Sequence, residues 1–115
     1  MAGSTVQRNS GQTVALSVTN TAHAAVLVTG YTNDQINYAS FLNTGAAPIA
    51  IRTSSLSNVG APVFPSDGTN GDYVLPAGMT SPLILATPAA PFYLTAVSNS
   101  ATAGLLYVTP VGDQS

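Results

Sequence analysis

The sequence predicts an all-β fold: an antiparallel β-sandwich, jelly-roll-like, of about eight strands. Three observations predict it. Apolar and polar residues alternate with period two over short stretches. Turn-forming residues separate those stretches at close spacing: Asn9-Ser10-Gly11, Asn43-Thr44-Gly45, Asp67-Gly68, Asn70-Gly71, Pro76-Ala77-Gly78 and Pro88-Ala89-Ala90-Pro91. Helix signals are poor, because Pro and Gly break every window long enough for three turns and the helix formers Glu and Lys are absent.

The first strand candidate covers residues 6–9. In 12–20, Val14, Leu16 and Val18 share one face, with Thr13, Ala15, Ser17 and Thr19 on the other. A third candidate is 24–32. In 35–42 the alternation places Ile36, Tyr38 and Leu42 on one side and puts Phe41 on the opposite face. In 48–53 it places Ile49 and Ile51 together. The remaining candidates are 73–75, 81–86, 92–98 and 104–109. Residues 53–72 are less regular, with Leu56, Val59, Val63 and Phe64 as the apolar anchors. They read as a long loop, with room for a short strand at 62–64. A loop of that length inside a compact domain is usually functional or rests on a partner.

A short pattern recurs three times. Asn20-Thr21-Ala22, Asn43-Thr44-Gly45 and Asn99-Ser100-Ala101 each follow an apolar residue two positions before the Asn, and each leads into a new strand. Asn can bond its own backbone, which suits a corner where one strand ends and the next begins. Aligning the copies predicts Val26/Val28, Ile49/Ile51 and Leu105/Tyr107 on the core side. The irregular spacing of the copies argues against a solenoid.

The chain has 115 residues and the expected organisation is a single β-sandwich domain over 1–115, with a short N-terminal arm (1–11) and a C-terminal tail (110–115). Its hydrophobic content is 45%, too high for a disordered chain. Only 5% of residues are charged: Arg8, Asp34, Arg52, Asp67, Asp72 and Asp113. Soluble domains carry about 25%. Charge keeps free monomers soluble and discourages sheet edges from pairing. Its scarcity therefore predicts a chain whose edges, and at least one outer face, are covered in a working assembly.

Composition also disfavours several functions. Two arginines cannot release enough counterions for useful phosphate binding, so no nucleic-acid partner is expected. The longest aliphatic run, 24–28, is far short of the ~20 residues of a membrane helix. The start of the chain lacks the apolar segment of a secretory signal. The expected setting is the cytosol, or a larger particle that carries the protein. No cysteine is present, so disulfides and thiolate metal sites are excluded.

Candidate chemistry is sparse. His23, the sole histidine, would have to serve any Ser-His-Asp system, yet it falls at the variable position of the recurring corner, and no Gly-x-Ser-x-Gly elbow exists. Asp67, Asn70 and Asp72 offer oxygen ligands of the type hard cations take. They lack EF-hand spacing and a closing glutamate, and read more simply as two successive turns. Tyr31, Tyr38 and Phe41 cluster in sequence as a sugar platform would, but Tyr38 and Phe41 fall on opposite faces, so core or interface packing is the expected use. No catalytic residue, metal or cofactor is expected. Arg8 and Arg52 suit specific ion pairs or interface contacts. With Phe64, Asp67 and Asp72 of the long loop, they are the candidate partner-contact residues.

The run from Phe41 through Asn43-Thr44-Gly45 to Ile51, the Pro76-Ala77-Gly78 turn before the apolar stretch ending at Leu85, and the ending from Leu105 to Pro110 together resemble small all-β virion proteins of tailed bacteriophages, most of all capsid decoration (cement) proteins. The resemblance spans most of 14–110. It implies a non-enzymatic virion protein, made in the host cytoplasm. It would sit on the capsid surface, bind the major capsid protein and bridge its neighbours against internal DNA pressure, as a homo-oligomer (dimer or trimer). It carries over no active site. The rival readings are a tail, neck or fibre component and a carbohydrate-binding β-sandwich module.

Overall fold

The computed structural model describes residues 7–30, 38–89 and 91–113. Among them, nine strand segments and no helix are present: β1 (Gln7–Asn9), β2 (Val14–Val18), β3 (Val26–Val28), β4 (Tyr38–Asn43), β5 (Ile49–Ser54), β6 (Tyr73–Leu75), β7 (Leu83–Ala86), β8 (Phe92–Ser98) and β9 (Gly104–Asp113). They form two antiparallel sheets. In the first, β9 lies between β4 on one side and both β1 and β2 on the other, and β7 flanks β4. In the second the order is β3-β8-β5-β6. Because β1 and β2 line the same side of β9, the nine segments fill eight strand positions.

A proline accounts for the split between β1 and β2. In an antiparallel ladder a residue directs its N–H and C=O toward the same neighbour. The Pro110 carbonyl accepts the Ser10 N–H at 2.9 Å, so its missing donor faces the stretch between Asn9 and Val14. The ladder cannot continue there. β1 resumes it further on, with Gln7 opposite Asp113 and Asn9 opposite Val111. Parts of the expected arm (1–11) and tail (110–115) are therefore strands paired with each other.

Pairings nest. β5 pairs β6, β4 pairs β7, β3 pairs β8 and β2 pairs β9. The chain is thus one long hairpin folded over on itself, and the extra contacts β4·β9 and β5·β8 join the folded halves into sheets. Both sheets contribute to one core: Leu16, Val18, Ala39, Phe41, Leu106 and Val108 from the first, and Val28, Ile49, Ile51, Leu75, Phe92, Leu94 and Ala96 from the second. This gives a sandwich-like arrangement. Burying a side chain the size of Phe41 or Phe92 contributes about 1.5–3 kcal/mol each.

The predicted faces of 12–20 and 48–53 agree with this core. The predicted placing of Tyr38 and Phe41 on opposite faces also holds, whereas the face predicted for Leu105 and Tyr107 is corrected. In β4 the inward residues are Ala39, Phe41 and Asn43, whereas Tyr38 is 44% exposed. Ile36 lies outside the described residues. The register with β9 sets Phe41 opposite Val108. It gives the interior to the fully apolar ring and leaves the tyrosine hydroxyl in water. In β9 the inward residues are Leu106 and Val108, while Leu105 is 43% exposed. The stretch Leu105-Leu106-Tyr107-Val108 is apolar on both parities, so its own pattern leaves the phase open. Pairing of Leu106 with Leu16 settles it, because a one-residue slip would exchange the two faces.

Candidate functional site

Topology sorts the connections by end. The β2–β3, β4–β5, β6–β7 and β8–β9 connections meet at one end of the sandwich, and β5–β6 and β7–β8 lie at the other. The three recurring Asn corners all belong to the first group, and Pro76-Ala77-Gly78 is the fourth member.

Asn43 organises this corner end. It is fully buried at the end of β4. Its Nδ2 donates to the carbonyls of Ala47 and Pro76, each at 3.0 Å, and its Oδ1 accepts the Gly45 N–H at 3.0 Å. One side chain thus joins two connections. Backbone bonds complete the seal: Met79 N–H to Asn43 O at 2.8 Å, Gly78 N–H to Gly45 O at 2.9 Å and Thr44 N–H to Leu105 O at 3.1 Å. Gly45 and Gly104 pack backbone to backbone, where a Cβ on Gly45 would lie 2.9 Å from the Gly104 Cα. At the β2–β3 corner, His23 is held by its own backbone: its N–H donates to Ala96 O at 2.9 Å and its carbonyl accepts the Thr95 hydroxyl. Its Nδ1 contacts Ala24 O at 2.7 Å.

The opposite end carries the charge. Arg52, on the outward parity of β5, meets Asp72, just before β6. Arg52 Nε donates to Asp72 Oδ1 at 3.1 Å, and Arg52 Nη2 lies 3.1 Å from Oδ2. Oδ2 also accepts the Val63 N–H at 2.7 Å, and the Asp72 N–H returns to Val63 O at 2.8 Å. The long loop is therefore clasped at its base. Beyond the clasp, Ser66 and Thr69 exchange backbone bonds around an Asp67-Gly68 turn, where Gly68 has φ 77°. The expected short strand at 62–64 is instead this two-bond contact of Val63 with Asp72.

Among the predicted contact residues, Arg52 and Asp72 come together. Phe64 is half-buried in the clasped loop, and Asp67 is exposed at the turn. Arg8 is placed by its backbone in β1 opposite Gly112, in the other sheet from that pair. Asp34 and Tyr31 lie outside the described residues. Both oxygens of Asp72 are engaged by Arg52 and Val63, so the carboxylate is committed to the fold. Among the described residues, no three His, Asp or Glu side chains converge as metal ligands would.

Two features escaped the sequence reading. The register Ile51 opposite Tyr73 brings Arg52 and Asp72 together, and consecutive strands with opposite charges at their base were the available signal. The second is a groove of about 240 Å³ lined by Phe41, Ile51, Thr53, Tyr73, Leu85 and Thr87. It opens between β6 and β7, the edge strands on one side of the sandwich. Comparison with protein-family models, with curated proteins and with solved structures returned no match.

Proposed function

We propose that this protein is a non-enzymatic structural component of a tailed-bacteriophage virion that decorates the outer capsid surface and bridges neighbouring major capsid proteins. The fold within this reading is a jelly roll. The nested pairing of β2 with β9, β3 with β8, β4 with β7 and β5 with β6 supports it, since a jelly roll is a long hairpin rolled into two sheets.

The observation that carries the reading is where charge lies. Among the described residues the corner end and the outer face of the β2-β9-β4-β7 sheet up to Val111 carry no formal charge. Arg52 and Asp72 neutralise each other. An uncharged Ser/Thr/Ala surface suits close packing, because burying unpaired ions costs several kcal/mol each. Small side chains also lose little rotamer freedom on contact. Decoration then works by multivalency: many modest contacts per particle, each holding a capsid protein against its neighbour.

Co-sedimentation of the purified protein with expanded and unexpanded shells of its particle tests the reading. Saturable binding to shells, with a raised temperature of shell failure, is expected. No binding to either shell form would overturn it. Binding to isolated tails in place of shells would identify the tail, neck or fibre alternative.

A further inference from the structure

We propose that Asn70 is a site of spontaneous deamidation and that its isoaspartyl product unfastens the long loop. The inference goes beyond the reading above: it rests on the loop alone and not on capsid binding.

Asparagine is thermolabile because the backbone nitrogen of the next residue can displace its side-chain amide. Attack is favoured at an exposed asparagine, before a residue without a crowding side chain, and where the next N–H is not held by a hydrogen bond. Asn70-Gly71 is the sole Asn-Gly pair of the chain, and both residues are exposed. They fall between two fastened points, the Ser66–Thr69 bond pair and the bonds of Asp72 to Val63. Among the described residues no hydrogen bond engages either of them.

Elsewhere the fold holds the attacking nitrogen. The N–H after Asn9 donates to Pro110 O at 2.9 Å, and the N–H after Asn43 donates to Leu105 O at 3.1 Å. The N–H after Asn20 donates to Thr19 Oγ1 at 3.2 Å, and the N–H after Asn99 donates to Ser98 Oγ at 3.1 Å. Asn58 precedes Val59, whose branched side chain crowds the approach. Asn70 is the described asparagine that meets every condition.

The reaction needs only water. Solvent base removes the Gly71 N–H proton, and the nitrogen attacks Asn70 Cγ. A Cγ–N bond forms, the Cγ–Nδ2 bond breaks, and Nδ2 takes up a proton and leaves as ammonia, giving a succinimide. Water then opens the ring. Addition at the Cγ carbonyl gives aspartate. Addition at the main-chain carbonyl gives an isoaspartyl linkage, which routes the backbone through Cβ and Cγ. Either product adds a negative charge between Asp67 and Asp72. The isoaspartyl form also adds a backbone carbon, and the loop has no slack for it. Gly71 lies so close to Pro65 that a Cβ on it would overlap the Pro65 backbone. Asp72 must hold its bonds to Val63, at 2.8 and 2.7 Å, for the loop to stay clasped.

Peptide mass spectrometry on the full chain, aged in mildly alkaline buffer, gives the test. Asn70 is expected to gain one mass unit about tenfold faster than any other described asparagine. Unfolding the same chain in urea is expected to raise the rates at Asn9, Asn43 and Asn99 and to leave that of Asn70 nearly unchanged. Limited proteolysis reads the second half of the inference. Aged wild type is expected to be cut within residues 55–72 faster than fresh protein. Aged Asn70→Gln and fresh Asn70→Asp are expected to resist as fresh wild type does, since the second variant adds the charge without the extra carbon. An Asn70 that keeps its amide in the folded chain while losing it in urea, or that deamidates no faster than Asn99, would overturn the site. A deamidated chain whose loop resists cleavage like fresh protein, or a fresh Asn70→Asp chain cut as fast as aged wild type, would overturn unfastening by the extra backbone carbon.

Discussion

The two ends of this sandwich are held by different chemistry. The corner end is closed by backbone bonds and by one buried amide, Asn43, among Gly, Ala, Ser, Thr and Pro. The opposite end is held by an ion pair, Arg52–Asp72, whose side chains are 35% and 20% exposed. A buried amide with every atom bonded is costly to disturb, because each lost partner leaves an unsatisfied polar group in a water-free place. A partly exposed ion pair is screened and contributes little to global stability. The corner end should therefore behave as a permanent part of the fold, and the clasp as a local fastening.

Substitutions at the two ends should separate in the same order. Asn43→Ala strips the carbonyls of Ala47 and Pro76 and the N–H of Gly45 of their partner, and should cost roughly 2–4 kcal/mol in denaturant unfolding. A loss below about 0.5 kcal/mol would mean that water replaces the amide and that the corner end is less sealed than described. Gly104→Val comes next. A Cβ there would stand 3.0 Å from the Gly45 Cα, and relieving the overlap should cost about 1–3 kcal/mol, read as a lowered Tm. Arg52→Ala should cost about 1 kcal/mol or less globally. It should nevertheless release residues 55–72 to rapid proteolysis and amide exchange while the corner end stays protected. Equal deprotection of both ends would dissolve the comparison. Asp67→Ala, at the exposed turn, should change stability by no more than about 0.5 kcal/mol.

The same contrast separates what was legible in the sequence from what was not. The corners announced themselves, since Asn followed by small residues and then an apolar strand start appears at Asn20, Asn43 and Asn99. The sequence could not say that all three gather at one end, because that follows from nested pairing between strands far apart in the chain. Nor could it reveal that Asn43 turns its amide inward. Faces were legible where one parity was polar, as in Val14–Val18. They were misread at Leu105, where both parities were apolar and the register with neighbouring strands decided. The clasp was half legible: Arg52 stood out as a cation seeking a partner, but Asp72 looked like one more turn residue. The groove between β6 and β7 had no sequence signature, because it arises where two sheet edges diverge.

Charge ties the fold to the proposed role. Among the described residues the formal charges keep to one end, and the corner end and most of the β2-β9-β4-β7 outer face are neutral. That distribution fits a protein whose neutral surfaces meet neighbours while its charged end stays in water.

Electron microscopy of the virion to which the proposed role assigns this chain tests that claim most directly. The account predicts density for the sandwich on the outside of the shell, with neutral surfaces in contact and the Arg52–Asp72 end in solvent. Density in the tail, or a shell-bound sandwich with its charged end buried and its neutral faces bare, would contradict it.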